Sequence, residues 1–367
     1  MGSNPISSTP LIDPSRCFVI AEAGTSHDGD LDHARRLIDA ARVAGADCVK
    51  FQAVFADEIL HPLTGEVELP TGRVPLYERF RSVERDGAFY RELKRHCEES
   101  GLIFLCTPFG LRSAAMLAEI GVRAYKIASP ELNHFPLLRA VAGFGKPVLL
   151  STGVSTLADI ERALEIVGDA AVLLHCITAY PAPPEESNLR LIPNLAALFG
   201  VPVGMSDHSL DPVLVPSLAA AVGACCLEKH ITLSRATDGL DDPIALEPES
   251  FRSMVQAVRS ATFLGRERTV ESLERVHGAE RIRAVLGSGV KALAPSERES
   301  YGRTNRSIHA LRAIARGELF SAENLAILRT EKVLRPGVPP ELYGRLVGRR
   351  AARDVDSGEG VTWEDFS

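Results

Sequence analysis

The sequence has little of what marks zinc-ribbon, nucleic-acid-coating or membrane-spanning proteins. None of its seven cysteines forms a CxxC pair, so no zinc ribbon is indicated, and we expect the thiols to be reduced and mostly buried. The formal net charge of −7 argues against a surface that coats nucleic acid or anionic membrane. No apolar run reaches the roughly 18 residues that a transmembrane helix needs.

Residues 1–16 also lack the basic region followed by an apolar region that a secretory signal contains. Their serine and proline content predicts a flexible tail. Together with the expected reduced cysteines, the missing signal predicts a cytoplasmic protein.

No predicted strand is followed by the glycine-rich fingerprint GxGxxG, which argues against an open doubly wound sheet, the rival fold class. From residue 18 to about 264, short apolar strands alternate with amphipathic helical stretches. Eight such units are typical of an α/β fold in which a closed parallel (β/α)₈ barrel is covered by helices on the outside. The predicted strands are residues 18–24, 48–54, 103–109, 124–131, 147–154, 171–181, 201–209 and 225–232.

The rest of the chain changes character twice after the predicted barrel domain, residues 17–264. Residues 265–303 are charged and punctuated by Gly and Ser, which predicts a linker. Residues 304–367 contain short strands and turns, which predicts a small, separate β-rich domain.

The predicted strands end in polar side chains. The active site of such a barrel lies at the carboxyl ends of its strands, and burying so many charges without function is costly. Alternation places Lys50 with Gln52, and Glu228 with His230, on common faces. We therefore predict a reaction centre formed by Glu22, Lys50, Gln52, Thr107, Lys126, Ser129, Glu131, Ser151, Thr152, His175, Ser206, Asp207, His208, Glu228 and His230.

The residue types at these strand ends indicate an anion site beside a metal. His208 and His230 end consecutive strands, and two imidazoles with oxygen ligands suit Mn²⁺, Fe²⁺ or Zn²⁺ better than Ca²⁺. Lys50 and Lys126 suit a phosphate or a carboxylate. Neutral donors to the same anion are the hydroxyls of Thr107, Ser129, Ser151 and Ser206.

An ordered set of motifs resembles the sialic acid synthase family: AEAGTSHDGD, VKFQ, CTPF, YKIASPE, STG, LHCITAYPAP, GMSDHS and EKHIT. The tail resembles the antifreeze-like (SAF) domain of that family, so the resemblance extends from residue 17 nearly to the end. It implies an enzyme that condenses phosphoenolpyruvate with an N-acylated hexosamine, such as N-acetylmannosamine or a 2,4-diacetamido analogue. The products would be a nine-carbon 2-keto-3-deoxy sugar acid and phosphate.

The resemblance also implies roles for single residues. It places the manganese ligands on His208 and His230, and the catalytic carboxylate on Glu131, with Asp28 and Glu228 as further catalytic candidates. Asp28 replaces the glutamate of the family's Asn-His-Glu-Gly motif, which leaves the identity of the amino sugar open.

The substrate contacts and the oligomer follow from the same resemblance. It places sugar contacts on Tyr180 and Asp241. It implies a dimer with exchanged tails, in which Arg329, or alternatively Arg335, reaches the other chain's site. The phosphoenolpyruvate contacts fall on Lys50, Gln52, Thr107, Lys126, Ser129, Ser151 and Ser206.

Two other functions stay open. A class I aldolase would form a Schiff base on Lys126 or Lys229. A catalytically inactive carbohydrate-binding barrel would keep the fold without the reaction. The two strand-end histidines and the anion-binding residue types favour the synthase over both.

Overall fold

The computed structural model describes residue 12 and residues 16–366, so the predicted tail lies outside the described residues apart from Ile12 and Arg16. Within this part of the chain, the strands are β1 (Phe18–Gly24), β2 (Cys48–Ala53), β3 (Glu66–Leu69), β4 (Gly72–Pro75), β5 (Ile103–Pro108), β6 (Tyr125–Ile127), β7 (Val148–Ser151), β8 (Ala171–Cys176), β9 (Val203–Asp207), β10 (Cys226–His230), β11 (Arg306–Ala310) and β12 (Leu325–Arg329). Eight of these strands are parallel and close into a barrel with the neighbour order β1, β10, β9, β8, β7, β6, β5, β2, which confirms the predicted fold.

Helices cover the outside of the barrel, and capping residues fix their ends. In the first helix, the Asp30 side chain accepts the His33 N–H, and Gly45 ends the helix with a left-handed φ of 90°. The helices are α1 (Leu31–Ala44), α2 (Ala56–Ile59), α3 (Leu76–Ser82), α4 (Gly87–Glu99), α5 (Leu111–Ile120), α6 (Phe135–Gly143), α7 (Leu157–Val167), α8 (Leu191–Phe199), α9 (Leu214–Ala221), α10 (Pro248–Leu264), α11 (Arg266–His277), α12 (Ala279–Leu286) and α13 (Tyr343–Leu346). Among the described helices, none combines the length and apolar character needed to cross a bilayer.

The barrel interior is apolar at one end and polar at the other. Its apolar layer lies toward the amino ends of the strands and consists of Phe18, Ile20, Cys48, Leu105, Ala124, Leu149, Leu174 and Cys226. Because side chains alternate along a strand, the next inward positions carry Glu22 on β1, Lys50 on β2 and Glu228 on β10. The apolar layer fills the barrel below these polar groups, so the polar groups face only the carboxyl end of the barrel.

The segment predicted as a linker, residues 265–303, begins with two packed helices. Helix α11 contacts α9 and α10, and α12 contacts α11. Beyond them the C-terminal domain pairs β11 with β12 in antiparallel fashion. Its own core contains Ile308, Ala310, Ile314, Phe320, Leu325, Val338, Leu346, Ala351, Val355 and Val361. This domain lies over the carboxyl end of the barrel, as the contacts of its arginines show below.

Candidate active site

A cavity of about 320 Å³ opens at the carboxyl end of the barrel, between the strand ends and the C-terminal domain. Phe80 of helix α3 and Leu240 of the loop between β10 and α10 form part of its wall. The structure brings together most of the predicted site residues in its lining: Lys50, Gln52, Thr107, Lys126, Ser129, Ser151, Tyr180, Ser206, His208, Glu228, His230, Asp241 and Arg329.

Two buried lysines and two buried carboxylates form the floor of this cavity. Lys50 Nζ lies 2.5 Å from Glu22 Oε2 and 3.7 Å from Glu228 Oε2, and Lys126 Nζ lies 3.2 Å from Glu228 Oε1. Burial acts to raise the pKa of Glu228, but the charges of Lys126 and Lys50 outweigh burial and lower that pKa to about 2. Burial acts to lower the pKa of Lys50, but Glu22 and Glu228 raise it above its ordinary value. Lys50 therefore presents positive charge at neutral pH.

Hydroxyl groups surround the lysines. Thr107 Oγ1 accepts from Lys50 Nζ at 3.0 Å, and Ser206 Oγ donates to Glu228 Oε1 at 2.8 Å. Within the described residues, the buried Ser151 Oγ has no hydrogen-bond partner. An unpaired buried hydroxyl costs free energy, and a bound anion would satisfy it. The floor therefore offers both charged and neutral donors to an anionic ligand.

The two predicted metal ligands lie side by side at the cavity wall. The ring centroids of His208 and His230 are 5.6 Å apart. His208 Nδ1–H donates to the Ile177 carbonyl at 2.8 Å, which leaves Nε2 as the nitrogen able to bind a metal. Burial lowers the pKa of His230, although the Asp241 carboxylate opposes the shift, and a lower pKa favours the neutral, ligating imidazole.

The donor set fits a divalent cation with open coordination positions. Asp241 Oδ2 lies 3.9 Å from His230 Nδ1, and the Tyr180 ring stacks on His208 with centroids 4.3 Å apart. In the part of the chain that the structure describes, no three His, Cys, Asp or Glu side chains are grouped closely enough to hold an ion alone. A cation bound by the two histidines would therefore take further ligands from water or substrate.

The C-terminal domain inserts two arginines at the cavity. Arg329 donates from Nε and Nη2 to the two carboxylate oxygens of Glu131, both at 2.9 Å. Arg306 donates to Glu131 Oε1 at 3.1 Å and to the backbone carbonyls of Glu58 at 2.6 Å and Phe109 at 2.7 Å. Glu131, which is fully buried, therefore holds the C-terminal domain against the barrel.

Two family models match this chain. Residues 37–268 match the NeuB family, and residues 305–367 match the SAF domain. The chain belongs to the NeuB family. Relatives of this NeuB-family enzyme are named N,N'-diacetyllegionaminic acid synthase, pseudaminic acid synthase and N-acetylneuraminate-9-phosphate synthase, so the family is one of nonulosonic acid synthases.

Three relatives illustrate the similarity. The spore coat polysaccharide biosynthesis protein SpsE of Bacillus subtilis is 37% identical over 95% of this chain and 93% of its own length. Its crystal structure superposes with a TM-score of 0.80 and 34% identity, covering 100% of this chain and 99% of that one. The N,N'-diacetyllegionaminic acid synthase of Legionella pneumophila is 33% identical, covering 95% and 94% of the two chains. The human N-acetylneuraminate-9-phosphate synthase is 31% identical, covering 95% and 92%.

Two of the three predicted catalytic carboxylates of this NeuB-family enzyme lie outside the cavity. Glu131 is held behind Arg329, as described above. The Asp28 side chain is 59% exposed and pairs with Arg79 at 2.7 Å, beside a separate surface depression. Glu228 alone of the three predicted catalytic residues lines the cavity.

Arg335, the predicted alternative to Arg329, lies away from the cavity. Arg335 Nη2 donates to the Gly360 carbonyl at 3.0 Å, within the C-terminal domain. Arg329 is therefore the one of the two predicted arginines that reaches the cavity.

Lys229, the alternative Schiff-base lysine, faces away from the cavity. Its Nζ lies 2.6 Å from Asp207 Oδ2 and also donates to the Ser209 carbonyl, in a site where the lysine and aspartate side chains are each 1% exposed. His175 faces outward as well, and its Nε2–H donates to the Ser187 carbonyl at 2.6 Å. The structure thus leaves Lys126 as the Schiff-base candidate with access to a substrate.

Sequence reasoning missed four charged residues at or near the cavity. Glu331 and Lys332 line it, Arg306 pairs with Glu131, and Glu297 is fully buried. The partners of Arg306 and Glu297 lie 175 and 143 residues away along the chain. Each is a charged residue in a charged stretch, so no local pattern distinguishes it.

Proposed function

We propose that this NeuB-family enzyme condenses phosphoenolpyruvate with an N-acylated hexosamine, giving a nine-carbon 2-keto-3-deoxy sugar acid and phosphate. The observation that carries the proposal is the pair of buried lysines, Lys50 and Lys126, beside the unpaired Ser151 hydroxyl and the two histidines. Phosphoenolpyruvate carries a carboxylate and a phosphate, and two separated ammonium groups match these two anions.

The chain's own groups suit the steps of this condensation. C3 of phosphoenolpyruvate attacks the aldehyde carbon of the open-chain sugar, C2 then takes up water, and phosphate leaves. A divalent cation held by His208 and His230, which we propose to be Mn²⁺, would polarise the sugar aldehyde. Lys50 and Lys126 would stabilise the negative charges of the carboxylate and the phosphate.

The carboxylates that line the cavity have different roles in this proposal. With a pKa of about 2, Glu228 is a weak base, so its role is to hold the two ammonium groups in place. Asp241 lies beside His230, and Glu22 lies between Lys50 and Gln52. These two are the carboxylates that we propose to position the attacking water or the sugar hydroxyls.

A substrate screen tests the proposal directly. Purified protein is incubated with phosphoenolpyruvate and either N-acetylmannosamine, its 6-phosphate or a 2,4-diacetamido hexose, and products are identified by mass spectrometry. We expect one sugar to give a product with the mass of both substrates plus water minus phosphoric acid. No condensation with any sugar, together with borohydride trapping of substrate on Lys126, would support the aldolase instead.

The lysine pair gives a quantitative prediction. Lys50→Ala and Lys126→Ala each remove a charge-assisted contact of about 1.5–3 kcal/mol, so the KM for phosphoenolpyruvate should rise at least about tenfold. Lys146→Ala, an exposed lysine before β7 at the opposite end of the barrel, is the matched control and should leave KM unchanged. A rise confined to the sugar KM would mean that the two substrates occupy reversed positions.

We also propose that two chains form a dimer with exchanged C-terminal domains. In the structure Arg329 contacts Glu131 within its own chain, and the proposed exchange would transfer these contacts to the partner chain. The test is co-expression of a His208→Ala chain with an Arg329→Ala chain. If the arginine acts between chains, one site of the heterodimer is intact, and activity reappears. Inactivity of a verified heterodimer would show that the arginine acts within its own chain.

A further inference from the structure

The segment between the barrel and the C-terminal domain sends a buried carboxylate to the catalytic end of the barrel. Glu297 is fully buried, and its Oε1 accepts the backbone N–H of Val154 at 2.7 Å and of Thr178 at 2.8 Å. Its Oε2 accepts the Ala294 N–H at 3.2 Å. Across the described residues, no cationic side chain forms an ion pair with this carboxylate. Burying a carboxylate is costly, and its three backbone donors together with the charge of nearby Lys291 offset that cost.

The backbone that Glu297 holds is strained. Val154 has a φ of 41°, which a β-branched residue rarely adopts and which costs about 1–3 kcal/mol. Such a conformation persists only where neighbours hold it. Here Glu297 binds the Val154 N–H, and Asn305 Nδ2 binds the Val154 carbonyl at 3.0 Å. Lys291 Nζ binds the carbonyl of Thr152, two residues earlier, at 2.8 Å.

We name residues 291–305 the latch segment and residues 152–154 the strained turn. The strained turn connects to the hydroxyls of the anion site. The Gly153 N–H donates to Ser129 Oγ at 3.0 Å, and a Cβ at position 153 would overlap Thr178 Oγ1, so the two loops are in close contact. Ser151, which directly precedes the turn, lines the cavity together with Ser129 and Thr178. The backbone conformation of the turn therefore sets where these three hydroxyls lie.

We propose that Glu297 is a positioning residue for the anion site, because it holds the strained turn from the latch segment. Phosphate binding then depends on a segment that leads directly into the C-terminal domain, so docking of that domain and affinity for the anion are linked. The inference rests on the proposed function only in taking phosphoenolpyruvate as the anion, and inorganic phosphate serves as an independent probe.

The test measures steady-state kinetics and calorimetric phosphate binding in matched variants. Glu297→Ala loses both hydrogen bonds to the loops, so we expect the KM for phosphoenolpyruvate and the Kd for phosphate to rise about five- to tenfold, with the sugar KM unchanged. Glu297→Gln keeps an acceptor for both N–H groups and should stay within about twofold of the parent.

A second substitution, at Val154, tests whether the lost affinity comes from the strained turn. Glycine adopts a positive φ without strain, so adding Val154→Gly to Glu297→Ala should recover at least half of the lost phosphate affinity. Asp47→Ala is the structural control, because Asp47 accepts the Val19 N–H at 2.8 Å near the amino ends of the strands. It should lower Tm without changing the KM for phosphoenolpyruvate.

The kinetic and binding results distinguish a positioning role of Glu297 from a purely structural role. Unchanged KM and Kd in a destabilised Glu297→Ala protein, as expected for Asp47→Ala, would overturn the proposal. If Glu297→Ala does not fold, Glu297→Asp replaces it, since the shorter side chain stays charged but cannot reach both N–H groups. Parental phosphate affinity in that variant would also overturn the proposal. Failure of the proposed function appears differently, as absence of turnover in the unaltered enzyme.

Discussion

Removal of divalent metal ions with a chelator is expected to abolish turnover, and Mn²⁺ is expected to restore it. The two imidazoles at the cavity wall would hold the cation, and its removal would take away the Lewis acid that polarises the sugar aldehyde. That contribution amounts to several kcal/mol, and about 1.4 kcal/mol is worth a factor of ten, so we expect a loss on the order of 10³-fold. Phosphate release after dialysis against chelator measures it.

Substitution of the histidines should have the same effect. His208→Ala and His230→Ala should each abolish Mn²⁺ binding, measured by calorimetry, while circular dichroism shows a folded barrel. His277→Ala is the control, because His277 lies on α11, away from the cavity. Full activity in metal-free buffer would contradict the metal assignment.

The second large effect concerns stability. Lys229→Met should destabilise the protein by about 3–5 kcal/mol, because it leaves Asp207 charged and buried without its partner. Urea denaturation measures the change in the free energy of unfolding. Replacing both residues, as Asp207→Leu with Lys229→Met, should recover most of that loss, since a buried pair is often replaceable by apolar residues.

An exposed ion pair provides the comparison for Lys229. Arg281 and Glu185 are each almost half exposed, and Arg281→Met should cost less than about 1 kcal/mol. A similarly small effect of Lys229→Met would show that Asp207 becomes protonated or hydrated at little cost.

The sequence predicted the positions of those site residues that lie within regular strands. Alternation along β2 and β10 placed Lys50 with Gln52 and Glu228 with His230, and all four line the cavity. The same alternation explains why Lys229, between two inward residues, faces the surrounding helices. Predictions of this kind succeed because an extended strand has one geometry over its whole length.

Alternation did not predict the position of Glu131, because this residue lies beyond the strand end. Residues Ser129–Glu131 form a 3₁₀ turn, so the two-residue period stops and the Glu131 side chain turns toward the C-terminal domain. Asp28 follows β1 in a turn with a φ of 50°, which directs its side chain to Arg79. Backbone turns of this type depend on tertiary contacts, so the position of a side chain beyond a strand end does not follow from its spacing.

The contact between Glu131 and Arg306 has a consequence for synthesis of the chain on the ribosome. The last barrel strand, β10, emerges well before Arg306 and Arg329, and at about 5–20 residues per second the intervening stretch takes several seconds or more. During that time Glu131 has no arginine partner, so water must solvate it, and the mouth of the nascent barrel stays open. The active site is therefore completed last, when the final domain leaves the ribosome and docks.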